Sequence, residues 1–539
     1  MHRISVLSPW VLADTALCCA ALALAIVSGI VLRRAGHTGA DAHWRALLVA
    51  LVGYAFLLRV IFCAQIELLP EEAYYWNYSR HLDIGYLDHP PMVAWLVRLG
   101  TLLFGDTEFG VRFGALCCGS VSSFFIHRLT RNLFGASSAL LALALAQILP
   151  FFFLAGMIMT PDAPLTAAWA ASVYFLERAL IAGRRWAWIW AGLSLGLGLL
   201  SKYTIVMLGG GTFLFMALDP TSRHWFRRWE PYAAVGIAAA VFAPVLVWNA
   251  QHDWASFAFQ TSRRLAEAPR FSLHRLAAAA LVLLTPTGLL AAGAALVGGP
   301  PVQATQSLDD SARRARRYMR TAVLVPLSVF AVFSLRHEVK LDWTGAPWAA
   351  ALPLMAFGAG PHAPGSMSRW LRTAWPVTLI CLLMFYAAGF YHLVLGIPGL
   401  GESSHTELVP VEWRDFGRQI DGIAENVRAR YGDDLLVVGM DRYAIASERA
   451  FYSHDRSKSV AETSSCHLFG GMGLMYERWF PAERQAGRTL LLLAWDAGDL
   501  QAVHLQSHVN SLEPLQEGTL VRDGRVVRRY YYRVAHGYH

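Results

Sequence analysis

Charged residues are scarce in this chain of 539 residues. Asp, Glu, Lys and Arg together make up 16% of the sequence, whereas 55% is hydrophobic and the mean hydropathy is +0.38. A soluble protein of this length carries about a quarter charged residues. Runs of 15 to 23 residues without a charge are typical of membrane-spanning helices. The composition excludes an ordinary soluble protein and predicts a polytopic α-helical membrane protein.

Metal-binding and disulfide patterns are also lacking. The seven cysteines form no CxxC motif, and the sequence contains no HExxH motif. Most of the cysteines lie in apolar runs, where a thiol packs as a small hydrophobic residue. We therefore expect neither a disulfide framework nor a structural metal site. No cofactor is predicted, although the sequence is compatible with a divalent cation.

Lysine is nearly absent, because the net charge of +8 rests on 43 arginines and only three lysines. The arginines occur in short clusters between apolar runs, which is the positive-inside pattern of cytoplasmic loops rather than a nucleic-acid-binding patch. About twelve spans are predicted, at residues 10–32, 46–66, 111–128, 137–159, 163–182, 186–201, 203–218, 231–249, 274–295, 321–335, 346–360 and 373–393. The loops opposite the arginines are then residues 67–110, 160–162, 201–203, 250–273 and 336–345.

The chain changes character after residue 393. The stretch 412–432 has helical spacing, while "DDLLVVGM" and "RTLLLLAW" are typical of buried strands. The stretch "VRDGRVVRRYYYRV" predicts a hairpin at its Asp-Gly pair. We therefore predict a transmembrane domain at 1–393 and a soluble α/β domain at 394–539 on the non-cytoplasmic side. The loop 67–110 is predicted to carry amphipathic helices.

The first of these loops contains the densest group of carboxylates and aromatics, "IELLPEEAYYWNYSRHLDIGYLDHPP". Glu71 and Glu72 follow a proline, so they suit the first turn of a helix for electrostatic reasons alone. Tyr75 and Trp76 fit either a membrane-interface belt or a sugar-binding surface beside the acids. Asp88-His89 is consistent either with a helix cap or with a binding site.

Other polar residues fall on the same predicted side. Asp162 in "TPDAPL" either caps the next span or acts chemically. Lys202, followed by Tyr203, interrupts an apolar stretch, and a cation at such a depth pairs with a carboxylate or binds an anion. Arg263, Arg264, Arg336 and Lys340 add further positive charge on this side. Cations beside carboxylates at the outer leaflet predict a site for a lipid phosphate.

These motifs resemble those of a known group. "PEEAYYWNYSRHLDIGYLDHPPMVAWL", "TPDAPL", "LLSKYT", "HEVKLDWTGAPWAAALPL" and "RYAIASERAFY" occur in the order found in the bacterial branch of the dolichyl-phosphate-mannose–protein mannosyltransferase superfamily. That branch includes the lipid A aminoarabinose transferases. The resemblance implies a GT-C membrane glycosyltransferase that takes a sugar from a polyprenyl-phosphate carrier, with inversion, at the periplasmic face of the bacterial inner membrane.

The resemblance also implies roles for single residues. Glu71 stands where the family has its catalytic Asp, so it is the expected base, with Glu72 and Asp162 as alternates. Asp88-His89 stands where the aminoarabinose transferases carry Glu-Lys, a pair associated with the carrier phosphate. The expected substrate contacts are Tyr75, Trp76, Asp88, His89, Lys202, Tyr203, Arg263, Arg264, Arg336 and Lys340.

The acceptor and the assembly state are less constrained. A cell-envelope glycolipid such as lipopolysaccharide is the expected acceptor, and a protein hydroxyl is the alternative within the same enzyme class. A lipid or sugar transporter is the rival outside it, although no inverted repeat is visible. The chain is expected to act as a monomer, with membrane lipids around it and no nucleic-acid partner.

Overall fold

A computed structural model describes residues 40–261, 268–297, 306–359, 366–395, 412–522 and 525–539. The predicted span at 10–32 and the candidate residues Arg263 and Arg264 lie outside this set. The described residues fall into two compact units. The first unit contains Gly114–Asp253, Gln260–Ala388 and the described part of Met1–Cys63, and the second contains Ala64–Phe113, Trp254–Phe259 and the described part of Gly389–His539.

Helices dominate the chain up to residue 395. They are α1 (Ala40–Gln65), α2 (Pro70–Arg80), α3 (Met92–Phe104), α4 (Glu108–Phe134), α5 (Ala136–Ile148), α6 (Pro150–Ala155), α7 (Asp162–Leu180), α8 (Ala187–Leu199), α9 (Val206–Leu218), α10 (Glu230–Gln251), α11 (Ala255–Gln260), α12 (Leu273–Val297), α13 (Gln306–Ser334), α14 (Leu352–Gly358) and α15 (Ser366–Leu395). Short 3-10 helices lie at Tyr203–Ile205, Arg223–Arg227 and Ala346–Ala350.

Five helices in the described part of the chain are long and apolar enough to cross a membrane. They include Ala42–Gln65, Glu108–Phe134, Glu230–Gln251, Leu273–Val297 and Met367–Val394. Shorter apolar helices are also present, among them α5 and α8. The chain is thus a multi-pass membrane protein, whereas the predicted number of about twelve spans is not confirmed.

The C-terminal segment contains both helices and strands. Its helices are α16 (Trp413–Tyr431), α17 (Ala444–Tyr452), α18 (Arg456–Ala461), α19 (Tyr476–Trp479) and α20 (Ala497–Gln501), and its strands are β1 (Leu435–Gly439), β2 (Thr463–Ser465), β3 (Thr489–Ala494), β4 (Val509–Leu512), β5 (Gln516–Arg522) and β6 (Arg525–Tyr538). Further 3-10 turns lie at Cys466–Phe469, Ala482–Gln485 and Val503–His508. The predicted strand-containing C-terminal region is confirmed.

The six strands form one mixed sheet. β1 lies between β2 and β3 and runs parallel to both, and β6 runs antiparallel to β3, β4 and β5. Every residue of β1 is buried, as expected of a parallel strand covered on both faces. The predicted hairpin is present, because Arg522 pairs with Arg525 in antiparallel register.

The second unit combines two distant parts of the sequence. Helix α2, in the first loop, packs against α17 of the C-terminal segment. Phe451 of α17 meets Trp76 of α2 edge to face, with ring centroids 5.2 Å apart. The predicted domain boundary at residue 393 stays a prediction, because the contacts group the loop 64–113 with the C-terminal segment.

Candidate functional site

An ammonium group held by two carboxylates lies in the first unit. Lys202 Nζ lies 3.0 and 3.1 Å from the two carboxylate oxygens of Asp162, and 3.0 Å from Asp342 Oδ2. Asp162 begins α7, while Lys202 lies in the extended break between α8 and the 3-10 turn at Tyr203–Ile205. We call Asp162, Lys202 and Asp342 the lysine cluster.

The lysine cluster has more negative than positive charge. One ammonium faces two carboxylates, so its charge is already compensated. The Lys202 side chain is 14% exposed, whereas that of Asp342 is 43% exposed. Burial opposes ionisation of Asp342, but the charge of Lys202 outweighs it and lowers the pKa of the Asp342 carboxyl. Asp342 therefore stays ionised and faces solvent.

Sequence reasoning linked Lys202 to a carboxylate in general terms but did not single out Asp342. The signal was present, since Asp342 stands two residues after Lys340 in the quoted motif "HEVKLDWTG". Lys340 and Arg336 themselves have exposed side chains in the same loop. Tyr203 packs edge to face against Phe242, with ring centroids 5.8 Å apart.

The carboxylate of Glu72, in the second unit, is fully enclosed. Arg112 Nε lies 2.9 and 3.1 Å from its two oxygens, and Arg112 Nη2 lies 2.5 Å from Oε2. The same guanidinium donates to the carbonyls of Ile66 and Glu67 at 2.6 and 2.8 Å. Glu72 also accepts from Leu69 N at 3.1 Å, which closes the first turn of α2. These contacts give Glu72 a structural position and argue against its role as an alternate base.

Glu71 has a different environment, because its side chain is exposed at the first turn of α2. Burial first, and then the negative charge of Glu71, raise the pKa values of the Tyr75 and Tyr443 phenols. The carboxylate of Glu71 is thus electrostatically coupled to two tyrosines. Tyr443 comes from the motif "RYAIASERAFY", so folding brings that motif to the first-loop acid.

The aromatic residues of α2 are mostly core residues. Trp76 is fully buried and donates from Nε1 to Asp106 Oδ1 at 2.9 Å. This burial argues against Trp76 as a sugar-stacking surface. Tyr75 is also buried, and its ring lies 5.8 Å from that of His89. His89 is only half-buried, so it forms the more accessible part of this pair.

Asp88 is a buried residue close to these aromatic side chains, and it does not lie at a helix end. It accepts hydrogen bonds from the hydroxyls of Tyr78 and Tyr74, the latter at 3.3 Å. Burial raises the pKa of Asp88, and these hydrogen bonds and the charge of Arg442 oppose that effect. No side-chain cap is present at the start of α3, so Asp88 does not cap that helix.

We call six of these residues the first-loop cluster. Its exposed members are Glu71 and Arg442, its half-buried members are Tyr443 and His89, and its buried members are Tyr75 and Asp88. It joins three of the predicted substrate contacts to the predicted base. Sequence reasoning did not single out Arg442 or Tyr443, although the motif that contains them was recognised. The lysine cluster belongs to the first unit and the first-loop cluster to the second.

Comparisons with known proteins agree with the motifs. The family model described as "Dolichyl-phosphate-mannose-protein mannosyltransferase" matches residues 88–248. The chain is similar to the lipid A galacturonosyltransferase RgtD of Rhizobium johnstonii, with 29% identity over 34% of this chain and 38% of that protein. It is also similar to the undecaprenyl phosphate-alpha-4-amino-4-deoxy-L-arabinose arabinosyl transferase of Pseudomonas aeruginosa, with 31% identity over 32% of this chain and 31% of that enzyme.

The matched stretch spans only about a third of the length of these two relatives. The fold is similar over a much longer stretch. The crystal structure of ArnT from Cupriavidus metallidurans in the apo state covers 92% of this chain and 98% of its own, with a TM-score of 0.59 and 16% identity. The predicted fold class, helical spans followed by a C-terminal α/β region, is therefore confirmed.

Proposed function

We propose that this chain, a member of the GT-C superfamily of bacterial membrane glycosyltransferases, is an inverting enzyme with a polyprenyl-phosphate-linked donor. Its acceptor is a hydroxyl of a cell-envelope glycolipid of the lipopolysaccharide type. The names of the two relatives support this proposal, since one is a lipid A transferase and the other uses an undecaprenyl-phosphate donor. The reaction takes place at the periplasmic face of the inner membrane.

The observation that carries the proposal is the contrast between Glu71 and Glu72. Glu72 is neutralised by Arg112 and closed to substrate. Glu71 is exposed at the adjacent position, and its negative charge acts on the phenols of Tyr75 and Tyr443. We assign Glu71 as the base that takes the proton of the acceptor hydroxyl as it attacks the anomeric carbon. Attack opposite the leaving phosphate inverts that carbon, so a single base suffices.

The departing polyprenyl phosphate requires positive charge, because a second negative charge develops on it. Arg442 is an exposed cation of the first-loop cluster, the cluster that contains Glu71. Lys202 is a weaker candidate for this role, since two aspartates already compensate its charge.

We assign the lysine cluster to hydroxyl recognition instead. The carboxylates of Asp162 and Asp342 accept hydrogen bonds, and the ammonium group of Lys202 donates them. A sugar hydroxyl can do both, so it can bond to either kind of group. Since Asp342 is the most exposed member, its carboxylate is the group that a substrate hydroxyl reaches first. A fixed network of this kind orients a sugar without adding net positive charge.

The direct test is transfer by the purified protein of a labelled sugar from a polyprenyl-phosphate donor to extracted lipopolysaccharide. We expect Glu71→Gln to lower kcat by about 100- to 10,000-fold, the usual contribution of a general base. The thermal unfolding midpoint should stay close to that of the wild type, because Glu71 is exposed. Wild-type activity in Glu71→Gln would exclude this base assignment.

Two further arms of the same assay separate the alternatives. Labelled product on a protein acceptor, with none on lipopolysaccharide, would identify a protein O-glycosyltransferase. Counterflow of the donor across vesicles without any covalent product would identify a transporter. Analytical ultracentrifugation of the active detergent complex tests whether the chain acts as a monomer.

A further inference from the structure

A polar cleft lies within the second unit, lined by residues that have no role in the first-loop cluster. Its volume is about 340 Å³, within the range of ~300–1,000 Å³ that is usual for small-molecule sites. The lining consists of Asp421, Glu425, Arg428, Asp433, Arg449, Ser453, His454, Asp455, Lys458 and Ser459. No aromatic or aliphatic side chain is part of that lining, so the cleft offers nothing to a lipid tail.

Three helices and the segments between them build the cleft. Asp421, Glu425 and Arg428 are spaced four and three residues apart, so they project from one face of α16. The opposite wall is the end of α17 and the short helix α18, which contribute Arg449 and Lys458. Six of the ten lining residues therefore lie on helices, and the other four lie in the short segments 432–434 and 453–455 that follow α16 and α17.

The base of the cleft is an ordered network around Asp421. Arg449 Nη2 donates to Asp421 Oδ1 at 3.0 Å, and Ser453 Oγ donates to the same oxygen at 2.9 Å. The backbone N–H of His454 donates to Asp421 Oδ2 at 2.8 Å. Arg449 is only 2% exposed, so this carboxylate and guanidinium form a buried, built-in pair.

Two N–H groups of the lining arginines are enclosed without an acceptor in the described part of the chain. Among the described residues, neither Arg449 Nε nor Arg428 Nε has a hydrogen-bond partner within the protein. A buried N–H without an acceptor is costly, by roughly 1–3 kcal/mol. Both arginines line the cleft, so the positive charge of their guanidinium groups forms part of its wall.

The charge of the lining narrows the chemistry of that molecule. The four carboxylates of the lining repel a phosphate, and its two guanidinium groups and one ammonium group repel a metal ion. Consistent with this, no group of metal-ligating side chains that could hold an ion is found in the described part of the chain. A molecule with many hydroxyl groups suits a lining of both acidic and basic side chains, because each hydroxyl both donates and accepts hydrogen bonds.

We propose that this cleft is a saccharide-binding subsite that holds the glycan part of the acceptor, apart from the hydroxyl that reacts. Saccharide binding follows from the cleft alone, whereas the assignment of the saccharide to the acceptor rests on the proposed function. Fixed ion pairs reduce the entropic cost of binding, since the lining side chains are already ordered.

The scarcity of lysine provides a sharp test. The chain has only Lys202, Lys340 and Lys458, and Lys458 is an exposed residue of the cleft. The full-length protein in detergent is treated with an amine-acylating reagent, with and without core oligosaccharide released from lipopolysaccharide, and the modified lysines are quantified by mass spectrometry. We expect the oligosaccharide to slow acylation of Lys458 at least fivefold, with Lys340 as the internal reference.

A variant with matched control completes the test. Glu425→Gln combined with Lys458→Met changes two exposed side chains of the cleft and should weaken oligosaccharide binding at least tenfold by calorimetry. Arg418→Met, an exposed residue of the same helix outside the lining, should leave the affinity unchanged. In the transfer assay the double variant should raise the KM for acceptor and leave kcat within about twofold.

The outcomes separate the two proposals. Equal acylation of Lys458 with and without oligosaccharide, in a protein that transfers sugar to lipopolysaccharide, overturns the subsite and leaves the enzyme assignment standing. Protection of Lys458 in a protein that transfers to no acceptor supports saccharide binding and overturns the assignment to the acceptor. Protection by the free donor sugar alone, and not by the core oligosaccharide, also overturns that assignment.

Discussion

Two ion pairs of similar chemistry occupy very different positions in this protein. Glu72 and Arg112, in the second unit, have side chains that are 0% and 2% exposed. Lys202 and Asp342, in the first unit, are 14% and 43% exposed. The first pair satisfies all its groups within the protein, whereas the second presents a carboxylate to solvent. The two pairs therefore differ in how far their charged groups are accessible, which is the basis for proposing a structural role for one and a binding role for the other.

The largest effect on folding is expected from Arg112→Met. The change leaves the Glu72 carboxylate buried without a counter-charge and removes the donor to two backbone carbonyls. Breaking one side of such a buried pair costs about 3–5 kcal/mol. The measurement is thermal unfolding of the purified protein in detergent, or the yield of folded protein if the variant does not accumulate.

The matched control for that variant is Arg80→Met, at the end of α2, the helix that also contains Glu72. Arg80 pairs with Asp106, but both side chains are about a quarter exposed, so the expected cost is at most about 1 kcal/mol. Equal destabilisation in the two variants would contradict the distinction between the buried pair and the more exposed ones.

Lys202→Met should affect activity more than folding. It leaves Asp162 and Asp342 facing each other without a cation, yet the exposed Asp342 carboxylate can turn to water. We expect kcat/KM to fall by about 100-fold, as for the loss of one fixed donor in an active site. The double variant Lys202→Met/Asp342→Asn should recover stability without recovering activity, because it removes the repulsion alone. Recovery of activity in the double variant would contradict a role for this cluster in binding.

A smaller, pH-dependent effect is expected at Glu448 in α17. Neither carboxyl oxygen of this buried residue has a partner among the described residues, and burial raises the pKa of Glu448 well above 4.5. The folded protein thus holds a proton that the unfolded chain releases at lower pH. This residue therefore stabilises the fold fully below about pH 4.5 and less at each higher pH, by up to about 1.4 kcal/mol per pH unit.

The variant Glu448→Gln keeps the shape of the side chain but cannot ionise. We expect it to flatten the fall in unfolding midpoint between pH 5 and pH 8, as followed by tryptophan fluorescence in detergent. Glu483→Gln, an exposed acid of the same unit outside the cleft, is the control and should leave the slope unchanged. An identical slope in wild type and Glu448→Gln would show that this carboxyl does not set the pH dependence.

Much of the architecture was predictable because hydrophobic patterning is local. The helix over Trp413–Tyr431 and the strands Leu435–Gly439 and Thr489–Ala494 follow directly from the spacing and length of apolar runs. The start of α2 at Pro70 follows from the proline and the acids after it. The number of spans was not predictable in the same way, because short apolar helices such as α5 resemble spans in composition.

The site was predictable only in its residue types. Motif order and the scarcity of lysine marked Glu71, Asp162 and Lys202, but not Asp342, which stands 140 residues from Lys202 in the sequence. Similarly, Trp76 was expected to meet a sugar, and its burial under Phe451 depends on a segment nearly 400 residues away. Contacts between such distant segments leave no local pattern in a single sequence.

The sequence by itself determined that this is a membrane protein with a polar first loop and a C-terminal α/β region, because composition and periodicity report directly on burial. Only the tertiary structure decided which of two adjacent glutamates is neutralised and which remains exposed. The physical reason is that Glu72 faces the guanidinium of Arg112 in the interior, while Glu71, one position earlier on the helix, points to the surface.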